Sequence, residues 1–442
     1  MTFKIYNTLS RKLENFKPVE KGKVKIYVCG PTVNDVPHLG HARQQITFDI
    51  LRKYLEFIGN KVTFVSNITD IDDKIINKAK ELEVEIKDIT RKNLKAHKED
   101  YEKIGVRKPD IQPKATEYIK EMIELIQILE EKNYAYLIKE DGIYFDISKF
   151  KDYGKLSGQK IKNLKAGARI KVKDKKINKE DFVLWKFSKP GEPKWESPWG
   201  EGRPGWHIEC SAMSEKILGL PLDIHGGGQD LIFPHHEDEI AQSESAYGKK
   251  LSNYWMHNGM VNVENIKMSK SLGNFKTIKD LLEEYSGEII RYFTLSSHYR
   301  KPLDFSKEKL ENIKTAYNRL KNITSILNDD GKTNKDYIDK FKESMDDDLN
   351  TPKALSVVWK LLRDTKAEGK YQTIKKIDRV FGLNLLKKET APIPKDIQKL
   401  VLEREKSRKQ QDFEKADKIR KDIEEKGYTI KDILEGYKIK KA

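Results

Sequence analysis

Val24-Lys25-Ile26-Tyr27-Val28-Cys29-Gly30-Pro31-Thr32-Val33-Asn34-Asp35-Val36-Pro37-His38-Leu39-Gly40-His41 is the stretch that decides the fold. Val24 to Cys29 is a short apolar run, read as a buried strand. Gly30 to Gly40 is a loop. From about His41 to Phe57 the apolar residues Ile46, Phe48, Ile50, Leu51, Tyr54 and Leu55 recur at helical spacing. Gly59-Asn60 closes that helix and Val62-Thr63-Phe64-Val65 starts a second strand. This is a βαβ unit of α/β class, the opening of a Rossmann-like nucleotide-binding domain. It lacks Gly-x-Gly-x-x-Gly, so a dinucleotide is not implied.

Pro109 and Pro113 mark a boundary. Beyond it the pattern predicts a helix from about Ala115 to Glu131 and two short strands around Tyr134 and Tyr144. Gly154 to Gly205 is irregular, rich in Lys, Gly and Pro, and reads as part of an insertion into the nucleotide fold. The α/β pattern then resumes. Leu222-Asp223-Ile224 is a strand, Gly226-Gly227-Gly228 a turn, and Pro234 opens a helix to about Tyr247. Another strand runs from Tyr254 to Val261. From Ser306 onward the chain is read as helical, with one short strand expected near Tyr428 and a mixed-charge helix pair from Glu403 to Lys426.

At 442 residues the chain is too long for one core, and a formal net charge of +16 favours a polyanionic partner, although a Lys-rich composition alone could produce it. With no run of 18 apolar residues and no positive-then-apolar N-terminus, the expectation is a cytoplasmic protein with no membrane partner.

Only two cysteines are present, Cys29 and Cys210. They could pair as a disulfide, lie apart as unrelated buried thiols, or bind metal. A Lys-rich, signal-free chain argues against the disulfide. Phe233-Pro234-His235-His236-Glu237-Asp238-Glu239 follows Cys210 and offers imidazoles and carboxylates; two thiolates, an imidazole and a carboxylate would make a tetrahedral zinc site. His235 and Glu239 are four apart behind a helix-starting proline and project from one face. Spacing alone does not choose His235 over His236.

His38-Leu39-Gly40-His41 lies between strand and helix, where backbone N–H groups and the helix dipole favour an anion. Two imidazoles spaced by three reach one phosphate chain, and Gly40 admits close backbone approach. Lys267-Met268-Ser269-Lys270-Ser271 puts two ammonium groups on a loop that can close over a triphosphate. In this order the two motifs resemble the signature sequences of class I aminoacyl-tRNA synthetases. Within that class the chain resembles the cysteinyl-tRNA synthetases through Tyr27 to Val33, Asn67-Ile68-Thr69-Asp70-Ile71-Asp72-Asp73-Lys74, Gly202 to Ser211, Asp223 to Leu231, Phe233 to Glu237, and Asp347-Asp348-Leu349-Asn350-Thr351-Pro352.

The resemblance implies a Rossmann-like catalytic domain with an inserted domain, followed by an all-α helical-bundle anticodon domain and a small C-terminal module. The implied limits are 1–108 with 202–270 for the catalytic domain and 109–201 for the insertion. A stem-contact region at 271–330, a bundle at 331–390 and an anticodon-binding module at 391–442 follow. It implies ATP-dependent activation of L-cysteine and transfer to tRNA(Cys) by a monomer carrying one Zn2+ per subunit, with Mg2+ accompanying ATP. Cys29, Cys210, His235 and Glu239 become the zinc ligands. His38, His41, Lys267 and Lys270 serve the ATP phosphates, with Thr32 and Asn34 near the α-phosphate and Asp230 on the ribose hydroxyls. Gly30, Thr69, Trp206 and His225 contact the substrate cysteine, with His225 close to the metal. Apart from the resemblance, His207, His225 and His257 read either as groups that orient the metal ligands or as ordinary core or surface histidines. The Lys-rich face of Ser306 to Leu327 and the tail lysines Lys438, Lys440 and Lys441 suit phosphate contacts, and Tyr437 stands where many members carry a tryptophan.

Three other readings compete. A ligase of the same fold that joins activated cysteine to an amino-sugar would keep every site but would not need the helical region after Ser306. A catalytically silent RNA-binding relative with a structural zinc would have no use for His38, His41 or Lys270. An adenylate-forming nucleotidyltransferase would have no reason for Cys210 and the Glu239 helix.

Overall fold

The structure is a computed structural model and describes residues 2–159, 175–268, 274–387, 394–433 and 436–441. A short antiparallel pair, β1 (Lys4–Asn7) and β2 (Lys12–Asn15), precedes the first βαβ unit. That unit is β3 (Lys23–Val28), α1 (Leu39–Phe57) and β4 (Lys61–Ser66). Helix α1 begins two residues earlier than its apolar pattern suggests. The His38 imidazole accepts the Gly40 N–H and the His41 imidazole accepts the His38 N–H, a reciprocal cap that extends the helix start. Helices α2 (Asp73–Glu81) and α3 (Ile86–Lys103) follow.

The insertion has more order than its composition suggests. Helix α4 (Ile119–Glu131) is preceded by a single 3-10 turn at Ala115–Glu117. Strands β5 (Ala135–Ile138), β6 (Gly142–Phe145), β7 (Phe182–Phe187) and β8 (Gly202–Pro204) form one antiparallel sheet. The stretch read as irregular therefore contains two strands. Gly202 is needed because a Cβ there would lie 2.3 Å from the Trp185 indole nitrogen.

The nucleotide fold resumes with α5 (Trp206–Leu218), β9 (Leu222–Gly228), α6 (Glu237–Tyr247) and β10 (Ser252–Asn258). Gly226-Gly227-Gly228 is not a turn; it is the end of β9. A Cβ on Gly226 would meet the Phe48 ring at 2.4 Å and one on Gly227 the His236 ring at 3.1 Å, so close packing, not chain reversal, demands glycine. The helix behind Pro234 is likewise delayed. Ile232–His236 is a distorted turn with Phe233 extended, and regular helix begins at Glu237.

The central sheet has the order β10-β9-β3-β4 with every pair parallel. The chain leaves β3 toward β4 on one side and β9 toward β10 on the other. The adjacent carboxyl ends of β3 and β9 are thus a topological switch point, where open α/β sheets bind ligands. The strand expected from Tyr254 to Val261 divides into β10 and β11 (Val261–Val263), which joins β12 (Ile266–Lys267) and β13 (Leu303–Phe305) in a second small sheet. Helices α7 (Ile278–Glu284) and α8 (Gly287–Leu295) lie between β12 and β13.

Helices α9 (Lys307–Ser325), α10 (Lys335–Asp346), α11 (Thr351–Arg363) and α12 (Lys370–Phe381) complete the first of two compact units, residues 1–386. Buried Arg291 ties them to the nucleotide fold. Its guanidinium reaches the Asp49 carboxylate of α1 and the carbonyls of Gly105 and Phe381. Asp348 of the Asp347-Asp348-Leu349-Asn350 run accepts the Tyr6 N–H at 2.8 Å, the Tyr299 hydroxyl at 2.7 Å and Arg300 Nε at 2.6 Å.

The second unit, residues 387–442, contains α13 (Lys395–Lys409), α14 (Phe413–Glu425) and a hairpin of β14 (Tyr428–Ile433) and β15 (Gly436–Lys441). The single strand expected there is a pair; the second carries one Ile among lysines, which hid it from an apolar count. The side chains of Lys438, Lys440 and Lys441 lie outside the described ones. No described helix is long and apolar enough to cross a membrane.

Candidate functional site

At the switch point Cys29, one residue past β3, donates its N–H to the Gly226 carbonyl of β9 at 3.1 Å. Cys210 comes from the second turn of α5, His235 from the distorted turn Ile232–His236, and Glu239 from the first turn of α6. One ligand atom from each of Cys29, Cys210, His235 and Glu239 falls within 4.8 Å of the other three, all buried. The sulfurs are 3.6 Å apart, Glu239 Oε1 is 3.3 Å from Cys29 Sγ, and His235 Nε2 is 2.9 Å from Glu239 Oε1. A second set shares Cys29 and Glu239 and adds His225 and His236.

The electrostatics fit a cation. Burial opposes charge on every member, yet His225 and His235 hold the Glu239 carboxyl well below its usual range. Burial likewise opposes the Cys210 thiolate, but the hydrogen bond with Cys29 and the neighbouring His235 draw that thiol down. Burial opposes charge on His235 too, but Glu239 and Cys210 raise it to about 10, so the imidazolium is their positive partner and a bound cation would take its place. Two thiols, an imidazole and a carboxylate suit zinc better than calcium or magnesium, which favour all-oxygen shells.

A hydrogen-bond chain supports the Cys29 sulfur from behind. The Thr8 hydroxyl is 2.8 Å from His257 Nδ1, His257 Nε2 is 2.8 Å from His236 Nδ1, and His236 Nε2 is 3.3 Å from the sulfur. With Thr8 donating, every proton points toward the sulfur. Such a donor orients the sulfur and favours its thiolate form. His207 plays a parallel part at His235, with their Nδ1 atoms 2.9 Å apart.

Trp206 lies over this group, its ring stacked on His235 at 4.3 Å between centroids. The His225 ring is fully buried and stacks on Tyr27 at 5.4 Å. Gly30 donates its N–H to Asn67 Oδ1 at 2.8 Å, and Asn67 Oδ1 lies 3.6 Å from Cys210 Sγ. The Thr69 hydroxyl donates to Glu209 Oε2 at 2.7 Å. Gly30, Thr69, Trp206 and His225 are thereby placed beside the ligand set.

The loop from Gly30 leads to the second chemical feature. His38 and His41 stack at 3.8 Å, and His97 of α3 meets His41 at 5.4 Å. Desolvation by the surrounding protein, with the neighbouring His97, lowers His38 to about 4, and desolvation alone brings His97 to about 4. His41 is lowered by burial and by both neighbours. All three are neutral at physiological pH. Because Nδ1 of both His38 and His41 accepts a backbone N–H, each carries its proton on Nε2 and presents a donor.

One consequence concerns acid stability. The unfolded chain protonates His38 and His97 near their ordinary 6.5, whereas the folded chain resists until about 4. Between those values the unfolded state binds more protons, so stability falls as pH falls. The expected slope is ~1.4 kcal/mol per pH unit for each histidine. Urea midpoints measured from pH 7 to 4.5 check this, and His97→Gln should flatten the fall by one proton's share.

The remaining expected residues are placed more loosely. Thr32 bridges to Thr69 as part of the paired loops after β3 and β4, and Asn34 lies half-buried two residues on. Asp230 is exposed in the turn Gln229–Leu231; a Cβ on Gly228 would lie 2.4 Å from its carboxylate. Lys267 is exposed at the end of β12, and Lys270 lies outside the described residues. The chain returning from that loop is bonded to the histidine loop: Leu39 donates to the Lys276 carbonyl and Ile278 to Pro37, both at 3.0 Å. Sequence reasoning did not single out Asn67, Gln44, Asn93, His97 or Glu209. Gln44 donates to the Cys29 carbonyl at 2.8 Å. Asn93 and His97 could have been found as polar residues on the inward face of an amphipathic helix.

The chain's likeness to known proteins agrees with this geometry. Residues 15–315 match the family described as tRNA synthetases class I (C) catalytic domain, and residues 340–386 match the DALR domain. The chain is 47% identical to the Cysteine--tRNA ligase of Thermococcus gammatolerans, covering 99% of this chain and 98% of that one. It is 46% identical to the Cysteine--tRNA ligase of Clostridioides difficile, covering 99% and 100%. Among solved structures, Mycobacterium tuberculosis methionyl-tRNA synthetase in complex with methionyl-adenylate superposes with a TM-score of 0.61 at 15% identity, over 82% of this chain and 88% of that one, a likeness of fold. By these matches over nearly its whole length, the chain belongs to the cysteine–tRNA ligase family of class I tRNA synthetases.

Proposed function

We propose that the chain joins L-cysteine to tRNA(Cys) through cysteinyl-adenylate, with the residues gathered at the β3–β9 switch point in defined roles. The observation that carries these roles is the buried Cys29, Cys210, His235 and Glu239 set, which begins at the same loop that ends in His38 and His41. Those four residues would hold zinc. When bound, zinc supplies a soft Lewis acid that takes the substrate sulfur as thiolate, a bond for which a serine hydroxyl is a poor match.

In the first step a cysteine carboxylate oxygen bonds to the α-phosphorus of ATP as the bond to the bridging oxygen breaks and pyrophosphate leaves with Mg2+. His38 and His41 donate from Nε2 to phosphate oxygens, and Lys267 and Lys270 offset the charge gathering on pyrophosphate. Thr32 and Asn34 face the α-phosphate, and Asp230 accepts from the ribose hydroxyls. Gly30 lets substrate approach the backbone, Trp206 walls the pocket, and Thr69, oriented by Glu209, and His225 supply its polar contacts. In the second step a terminal ribose hydroxyl of tRNA bonds to the cysteinyl carbonyl carbon, and AMP departs. Positioning dominates both steps. The enzyme works as a monomer in the cytoplasm.

ATP–pyrophosphate exchange with each amino acid, followed by tRNA charging, tests this reading. Exchange should depend on cysteine, fall with prolonged chelation and return with zinc. Exchange independent of cysteine overturns the proposal; cysteine-dependent exchange without charging of tRNA(Cys) points to a small amine acceptor.

A further inference from the structure

The inward face of α3 carries Ile89, Asn93, His97 and Asp100, one residue per turn. Ile89 sits in an apolar cluster with Val33, Ile68, Ile75 and Ala79. At the next two turns the helix buries polar side chains where leucines would extend that cluster. Burying an amide and an imidazole is unfavourable unless each finds a partner, and both find theirs on the same loop. Asn93 Nδ2 donates to the Val33 carbonyl at 3.0 Å, and His97 Nε2 lies 3.0 Å from the Asp35 carbonyl. A carbonyl only accepts, so Nε2 carries the proton and Nδ1 accepts the Tyr101 hydroxyl at 2.9 Å. From α2, Lys78 Nζ reaches the Asp35 carboxylate at 3.5 Å.

Two residues four apart on the helix thus grip two carbonyls two apart on the loop. That loop has no regular secondary structure of its own between Pro31 and His38. His97 also backs the His41 ring, edge to face at 63°. We propose that Asn93 and His97 are positioning residues that hold the Val33–His38 loop in its triphosphate-binding shape, so that the Nε2 donors of His38 and His41 stand ready before ATP arrives. This rests on the ATP role given above to those two histidines. Neither clamp residue touches the reacting atoms; each acts through the loop it holds.

A structural role and a positioning role differ in what they move. Loss of a single buried hydrogen bond changes stability modestly, whereas misplacing a loop that aligns a reactant changes turnover steeply. The full chain is assayed by ATP–pyrophosphate exchange as His97→Phe, Asn93→Leu, the double variant and His97→Gln. His97→Phe and Asn93→Leu should each raise KM for ATP about tenfold with KM for cysteine within twofold. The double variant should add little beyond the singles, since one loop is released once. His97→Gln, which retains an N–H donor, should recover most of the loss. Unchanged KM for ATP in both single variants, equal rises for ATP and cysteine, or melting below the assay temperature would each overturn the clamp. Absence of cysteine-dependent exchange in the unaltered protein would instead refute the activity on which it rests.

Discussion

Cys210→Ala should lose bound zinc and lower cysteine activation by on the order of 10³-fold, the scale of removing a preorganised electrostatic group. The reason is geometric. Cys210 Sγ is 3.6 Å from Cys29 Sγ and 3.6 Å from Asn67 Oδ1, so its loss opens the side of the cluster that faces the Gly30 loop. The burden then falls on Cys29, His235 and Glu239, whose buried charges no longer balance. A sharper outcome concerns selectivity. With sulfur recognition gone, the pocket distinguishes cysteine from serine by shape alone, which supplies only ~10–200-fold. Metal content by emission spectrometry and exchange rates with both amino acids check the prediction. Retention of stoichiometric zinc with undiminished discrimination would refute it.

The second large effect is expected at Gly30. A Cβ there would lie 1.6 Å from the Asn67 carbonyl oxygen, inside covalent range of a backbone atom that no rotamer change can move. Gly30→Ala therefore forces the loops after β3 and β4 apart. It breaks the Gly30–Asn67 hydrogen bond and carries Cys29 and Thr32 away from Cys210 and Thr69. A shift near 1 Å in an aligned site lowers kcat/KM by about 10²-fold or more. Gly59→Ala is the control: its Cβ meets nothing within 4 Å, although its positive φ of 98° costs some stability. Measuring kcat/KM for ATP and cysteine beside the melting midpoint separates the two variants. Near-normal activity in Gly30→Ala would mean that the loops are not coupled as described.

Much of this architecture was legible because its determinants are local. The β3–α1–β4 unit announces itself by apolar run, helical period and Gly59-Asn60 stop. That an imidazole and a carboxylate share one helix face is legible in the spacing of His235 and Glu239, while the choice of His235 came from the family resemblance. What stayed hidden depends on residues far apart in sequence. The three glycines of β9 look like a turn until Phe48 of α1 and His236 are seen pressed against them. Strands β7 and β8 were masked by lysine and proline around them, and β15 by its lysines. Spacing could not separate His235 from His236, and the structure explains the difficulty: both rings reach the cluster, one toward Glu239 and one toward Cys29. Asn93 and His97 were passed over because the apolar face of α3 is short and its charged residues many, so two polar side chains on the inward face drew no notice before their loop partners were located.

The parallel pairing of β3 with β9 also has a bearing on how the chain is made. Cys29 and Cys210 are separated by 181 positions, and the whole insertion is synthesised between them. During that interval β3 has β4 on one side and an open row of backbone donors and acceptors on the other. An open strand edge is a template for unwanted pairing, and long-range parallel strands assemble late. The nascent protein must therefore keep that edge covered, by its own partly folded neighbours or by a chaperone, until the segment through Gly228 has left the ribosome.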